Sequence, residues 1–298
     1  MSDVQAATRA RWRDADLGTR REIDVPGGRI AVFEAGEGEP VVFVHGVLAN
    51  ANLWRRVVAR LSDRYRCVTL DLPFGAHTVP MPGADLTPPA LAAMVAGAIE
   101  FLDVGPVTLV GNDSGGAVCQ LVATTRPELV GRLVLTSCDA YDNFPPRFFG
   151  YLKLATRIPG GIGALLATLR FLPALRRLPI AFGWLARRPL PRAVTDSYVL
   201  PAWADRGVRD DLLRVLRGLD ARHTLAAAKR FGSFTSPVLV AWSERDRFFP
   251  AAHAERLATD FPDARLEWIP GARTFSPEDQ PTRLASAIAG FVPLRATR

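Results

Sequence analysis

Short apolar runs alternate with stretches of helical period through the first half of this chain. Arg29–Glu34 reads as a strand, and Pro40-Val-Val-Phe-Val-His45 reads as a buried one. Leu53–Leu61 has a helical period, and Arg66–Leu72 is again a short apolar strand. A helix follows to Leu102, with Thr87 as its N-cap and Pro88 at its first position. Pro106–Val110 and Gly131–Thr136 read as strands, with a helix over Gly115–Thr125 between them. Strand and helix alternating at this spacing predict an α/β fold, a mostly parallel sheet with helices on both faces.

The alternation stops at Tyr141. From there to Ala228 the pattern is helical, with no clear strand, and is interrupted by Pro159, Pro173, Pro179, Pro189, Pro191 and Pro201. It returns with a strand at Pro237–Trp242, a helix at Ala251–Phe261, a strand at Arg265–Ile269 and a closing helix at Pro281–Phe291. The reading is one doubly wound core, residues 1–140 and 229–298, split by a helical lid or cap at 141–228. Ligands in such sheets bind at the carboxyl ends of the strands, where a helical insert acts as a lid.

Composition narrows the class. Of 298 residues, 48% are hydrophobic and 22% charged, enough for a large core and far from a disordered chain. The longest stretch free of charge, Pro40–Trp54, is shorter than the ~20 apolar residues of a bilayer helix, so no integral membrane protein is expected. Met1–Arg21 is rich in Arg, Asp and Ala without an apolar run, which argues against a signal peptide. Cys67, Cys119 and Cys138 are odd in number and widely spaced. They read as buried thiols of a cytoplasmic protein rather than a disulfide framework.

The net charge of +7 comes from a basic set that is nearly all Arg, with only Lys153 and Lys229 as lysines. The densest run, Arg170–Arg192, is as apolar as it is basic, so it reads as part of the lid rather than a nucleic-acid track. A membrane-surface helix is the other reading of that run. No GxGxxG, P-loop or clustered metal ligands occur, so no cofactor and no metal are expected. A monomer or homodimer acting on a small hydrophobic molecule is the default partner reading.

The strongest chemical signal is Leu109-Val-Gly-Asn-Asp-Ser-Gly-Gly116, between a predicted strand and a predicted helix. A small-x-nucleophile-x-small turn strains its middle residue and aims that side chain at the strand's carboxyl end. With Gly111 and Gly115 at minus two and plus two, the middle residue is Asp113. Choosing Ser114 instead places the bulkier Asn112 at minus two. A phosphate-binding turn is the third reading, without the usual spacing or a Lys.

With these motifs the chain resembles the α/β-hydrolase superfamily from about Arg21 to Val292. His45-Gly46, Asp71-Leu72-Pro73, the turn at Asp113, Trp242-Ser-Glu-Arg-Asp246 and Pro270–Phe275 carry the likeness. An Asp at the elbow resembles the branch of haloalkane dehalogenases, fluoroacetate dehalogenases and epoxide hydrolases. The resemblance implies that Asp113 attacks carbon to form an ester, and that a His-activated water hydrolyses it. It further implies Asp246 as the acid and the backbone N–H groups of Val47 and Ser114 as the oxyanion hole. His45 matches the family's structural histidine.

Where that family carries its catalytic His, this chain has Thr274, which takes no proton at neutral pH. His77, after the strand Arg66–Leu72 and on the same edge of the sheet, is either a base or substrate contact or a plain loop residue. His223 and His253 are expected to face solvent. Arg273, if it points inward, would favour the ionised form of Asp113. Ser114 and Val47 replace a Trp and an Asn that hold halide in many dehalogenases. Tyr141, Tyr151 and Tyr198 lie in the insert, with Tyr198 the best-placed proton donor. Phe148, Phe149, Phe171, Phe182, Trp184 and Trp203 are expected to line an apolar pocket.

Three functions stay open at this point. One is a hydrolase with Asp113 as nucleophile. Another is a cofactor-free lyase, isomerase or cyclase with Asp113 as general acid or base. The third is a silent small-molecule binder.

Overall fold

The computed structural model describes residues 3–293. The outer ends of the predicted core ranges, 1–2 and 294–298, lie outside the described residues. Eight strands form one sheet: β1 (Thr19–Val25), β2 (Gly28–Ala35), β3 (Glu39–Val44), β4 (Tyr65–Asp71), β5 (Val107–Asp113), β6 (Val130–Cys138), β7 (Val238–Ser243) and β8 (Ala264–Ile269). Their order is β1-β2-β4-β3-β5-β6-β7-β8. The β1–β2 and β2–β4 pairs are antiparallel, and all others are parallel. This is the mostly parallel sheet that the sequence pattern predicted and the α/β-hydrolase arrangement that the resemblance implied.

The central strands β3, β5, β6 and β7 carry runs rich in Val and Leu buried on both faces, as a helix-covered parallel sheet requires. β1 was not expected. Its sequence, Thr-Arg-Arg-Glu-Ile-Asp-Val, is polar because it is an edge strand and buries only Ile23. The helix Asp3–Arg11 was also unforeseen. It buries Ala6 and Ala10 and brings Arg9 within 3.6 Å of Asp196.

Between β6 and β7 the chain makes a long helical excursion. Its helices are Gly150–Ala155, Gly161–Phe171, Arg192–Ala204, Arg206–Gly218 and Ala221–Ala228. Pro201 does not interrupt this run; it sits inside the helix Arg192–Ala204. A proline there removes the N–H that would bond the carbonyl four residues back, at Ser197. That carbonyl instead accepts Asn50 Nδ2 at 2.8 Å, from the loop after β3. Asn52 Nδ2 donates to Ser197 Oγ at 2.9 Å beside it. Two asparagines of the sheet domain thus pin the excursion where its helix is incomplete.

Candidate active site

Asp113 is the last residue of β5, and the helix Ser114–Thr125 starts at the next residue. No loop separates them, so the backbone turns within one residue, at φ +55° and ψ −134°. This is costly for a residue with a Cβ and persists only where the surroundings enforce it. Neighbouring glycines make room. A Cβ on Gly46 would fall 2.5 Å from Asp113 Oδ2, and one on Gly111 would fall 2.6 Å from the Gly116 Cα. The elbow thus needs Gly46 from the loop after β3 as well as its own glycines.

The Asp113 carboxylate opens on a cavity of about 120 Å³. Val47, Leu48 and Ser114 line it from the sheet side, and Phe149, Leu169 and Phe182 are among its walls from the excursion. The Ser114 N–H bonds the Asp113 carboxylate, and Ser114 Oγ lies 3.5 Å from Asp113 Oδ1. Burial outweighs these donors, and the nearby Asp246 charge adds to it, so Asp113 is pushed up to about 7.

Asp246, after β7, accepts the backbone N–H groups of Phe248 and Phe249 at 2.8 and 2.9 Å. Burial raises its pKa, and these two donors oppose that rise, as do the Thr274 and Ser137 hydroxyls. Thr274 is fully buried beside it, and its carbonyl accepts Asn112 Nδ2 at 2.7 Å.

A third carboxyl was missed. Asp139 follows β6 immediately, is fully buried, and has no hydrogen bond to either oxygen within the described protein. Burial, and then the Asp113 charge, raise its pKa well above the ordinary carboxylate range. The only sequence signal was a polar residue at the carboxyl end of a central strand. Asp113, Asp139 and Asp246 therefore sit on one edge of the sheet within reach of one another's charge. Among the described residues no His, Cys, Asp or Glu group is arranged to hold a metal ion.

Several expected contacts lie elsewhere. His77 does not line the Asp113 cavity. It is buried with Nε2 at 2.9 Å from Asp211 Oδ2, while its Nδ1 accepts the Gly75 N–H at 3.3 Å. It ties the loop after β4 to the helix Arg206–Gly218. Arg273 turns away as well, donating to the carbonyls of Gly183 and Ala186 at 3.1 and 3.2 Å. Tyr198 is fully buried against Phe182, and its hydroxyl has no partner. The tyrosine that lines the cavity is Tyr151, whose hydroxyl donates to the Ile180 carbonyl. Lys153 lines it too, held by the Leu219 carbonyl at 2.9 Å.

His45 keeps Nδ1 on the Gly46 carbonyl at 2.9 Å and accepts the Leu72 N–H at 3.0 Å. Burial lowers it to about 4, so it is neutral and holds the His-Gly turn. His223 and His253 are half-buried rather than solvent-facing, and neither lines the cavity. Of the expected aromatic lining, Phe149 and Phe182 face the cavity, whereas Phe148 and Phe171 are exposed. Trp184 packs on Phe148, and Trp203 packs on Phe171. All three cysteines are buried and free.

Residues 39–281 match the family model of the alpha/beta hydrolase fold. The chain belongs to the α/β-hydrolase fold family. It is 32% identical over 275 residues to haloalkane dehalogenase 2 of Mycobacterium tuberculosis, covering 90% of this chain and 93% of that protein. Its fold is shared with an alpha/beta hydrolase fold protein from Burkholderia ambifaria at a TM-score of 0.76. That pair is 22% identical over 91% of this chain and 97% of that one. Haloalkane dehalogenase DbeA from Bradyrhizobium elkani superposes at 0.75, with 20% identity over 92% of this chain and 97% of that one. Among the described residues no helix is long and apolar enough to cross a membrane.

Proposed function

We propose that this α/β hydrolase opens a small apolar electrophile, an epoxide or alkyl halide, by attack of the Asp113 carboxylate on carbon. The observation that carries the proposal is the strained elbow that delivers Asp113 to a mostly apolar cavity. The likeness to haloalkane dehalogenase 2 supports it. In this reading the excursion between β6 and β7 is the lid.

For an epoxide the step balances as follows. An Asp113 oxygen bonds to the ring carbon and the ring C–O bond breaks. The leaving oxygen takes a proton from the Tyr151 hydroxyl or the Lys153 ammonium. The Val47 N–H, which has no partner among the described residues, and the Ser114 N–H stabilise the ester oxygen. Water then attacks the ester carbonyl and gives its proton to Asp246. Asp246 replaces the imidazole because Thr274 occupies that place. The hydroxyl proton of the tetrahedral intermediate passes to the departing alkoxide, which restores the Asp113 carboxylate and releases the diol. The proton on Asp246 returns through solvent to the Tyr151 phenolate or the Lys153 amine.

A second reading rests on the carboxyl cluster. A group near pH 7 in an apolar cavity suits direct proton transfer to and from a substrate. Asp113 would then catalyse an elimination, isomerisation or cyclisation without an adduct.

Intact-protein mass spectrometry after incubation with small epoxides and haloalkanes separates these. An adduct mapped to Asp113 and absent from Asp113→Asn supports the first reading. Turnover without an adduct, abolished by Asp113→Asn, supports the second. Binding unchanged by Asp113→Asn, with no turnover in either protein, overturns both in favour of a silent binder.

A further inference from the structure

We propose that the outer face of residues 143–195 seats on the surface of an anionic phospholipid bilayer. Between Asp142 and Asp196 the chain has nine basic residues and no acidic one, so this stretch alone exceeds the net charge of the whole chain. It is also where apolar surface collects. Seven of the eleven large hydrophobic side chains exposed among the described residues lie in it. Leu154, Ile158, Phe171, Leu172 and Ile180 are each at least half exposed.

Arg176 and Arg192 pair with Asp196, but other charged groups here are not spent on internal pairs. Arg147, Arg157, Arg177 and Arg188 are exposed and form no ion pair among the described residues. The helix Gly161–Phe171 turns its small residues Ala164 and Thr168 outward, so the surface has no bulky polar barrier there. Exposed aliphatic side chains interspersed along the chain with exposed guanidinium groups suit a bilayer interface, where the apolar parts enter the acyl boundary and the cations meet lipid phosphates.

Two other occupants fit less well. A second copy of the chain would press the exposed Arg147, Arg157, Arg177 and Arg188 against their like-charged copies. A nucleic acid would meet mostly leucine and isoleucine, with Phe148 and Phe171 as the exposed phenylalanines, a sparse set of stacking platforms. The patch is also continuous with the cavity, because Ile180 belongs to both. An apolar substrate dissolved in the bilayer then has a short path to Asp113. The binding itself does not depend on the Asp113 chemistry, so either proposal can fail alone.

The test is co-sedimentation of the full chain with vesicles of phosphatidylcholine alone or mixed with phosphatidylglycerol. At low salt, binding to the anionic vesicles is expected to exceed binding to neutral ones by about tenfold or more, and high salt removes most of the excess. Arg157→Glu with Arg177→Glu, and separately Leu154→Asp with Phe171→Asp, are each expected to cut binding about tenfold. All four positions are on the surface, and thermal melts confirm folding. Phe101→Asp, an exposed apolar change outside the patch, is expected to have no effect. Equal sedimentation with both vesicle types overturns the proposal, as does insensitivity to the Leu154 and Phe171 changes. Salt-sensitive binding to duplex DNA in place of vesicles, or a concentration-dependent dimer lost with the same variants, overturns it equally.

Discussion

Replacing Asp113 by Asn should stabilise the fold at neutral pH and leave it unchanged in acid. The folded carboxyl is pushed up to about 7 from 3.8, chiefly by burial. Between those values the folded chain holds a proton that the unfolded chain has released. Stability therefore falls as pH rises through this window. A span of about 3 units at ~1.4 kcal/mol each comes to about 4 kcal/mol above pH 7. Asn keeps the shape and has no proton to lose, so the variant escapes that loss. Urea titrations of both proteins at half-unit steps from pH 4 to 8.5 measure the difference directly. It should be near zero at the acid end and rise to about 4 kcal/mol at the alkaline end. A flat difference curve, or one that grows toward acid, would refute the reasoning. The Asp113 carboxyl would then be ionised at little cost, and the acid–base reading would lose its basis.

Four further outcomes follow from the geometry. Asp246→Asn removes a negative charge that raises Asp113, so the pH profile of adduct formation at Asp113 should move toward lower pH, read by mass spectrometry across a pH series. Gly46→Ala places a Cβ 2.5 Å from Asp113 Oδ2 and should slow adduct formation about 10²-fold while circular dichroism stays native. Asn50→Ala leaves the Ser197 carbonyl without its donor and should cost about 1–3 kcal/mol in urea unfolding. Adding Pro201→Ala restores a helical N–H and should recover part of that loss. His77→Ala should cost a similar ~1–3 kcal/mol through its buried partner Asp211, yet leave the pH profile of adduct formation unmoved.

What the sequence made legible follows the range of each interaction. The buried strands could be read because a parallel sheet covered on both faces demands continuous apolar runs. β1 could not, because an edge strand protects itself with Arg, Glu and Asp and looks like a loop. Asp113 was legible because the elbow writes its glycines at fixed offsets. Asp139 was not, because one polar residue after a strand has no spacing to recognise. Choosing between Tyr151 and Tyr198 required knowing which face of each helix meets the cavity. Pro201 read as a helix breaker because its compensating donor, Asn50, lies 147 residues from the carbonyl it serves. His77 lay after the expected strand, but its direction is set by Asp211, 134 residues away.

The three carboxyls and Thr274 belong to one argument. An imidazole in that place would offer Asp246 a cationic partner during turnover. Threonine offers only a dipole, so the cluster must balance its charge with protons. The donors decide where those protons sit. Asp246 has two backbone N–H groups and holds the negative charge most easily. Asp139 is fully buried beside two negative neighbours, with only the Ser114 hydroxyl to oppose them, so burial above all favours its protonated form. Asp113 lies between them, near pH 7. Esterification of Asp113 would remove its charge and relieve its neighbours at the moment a base is needed. In the proposed reaction Asp246 would then be more fully ionised as the ester forms, a weaker base than an imidazole but an available one. That dependence, more than the missing imidazole, is what links the elbow to the two acids behind it.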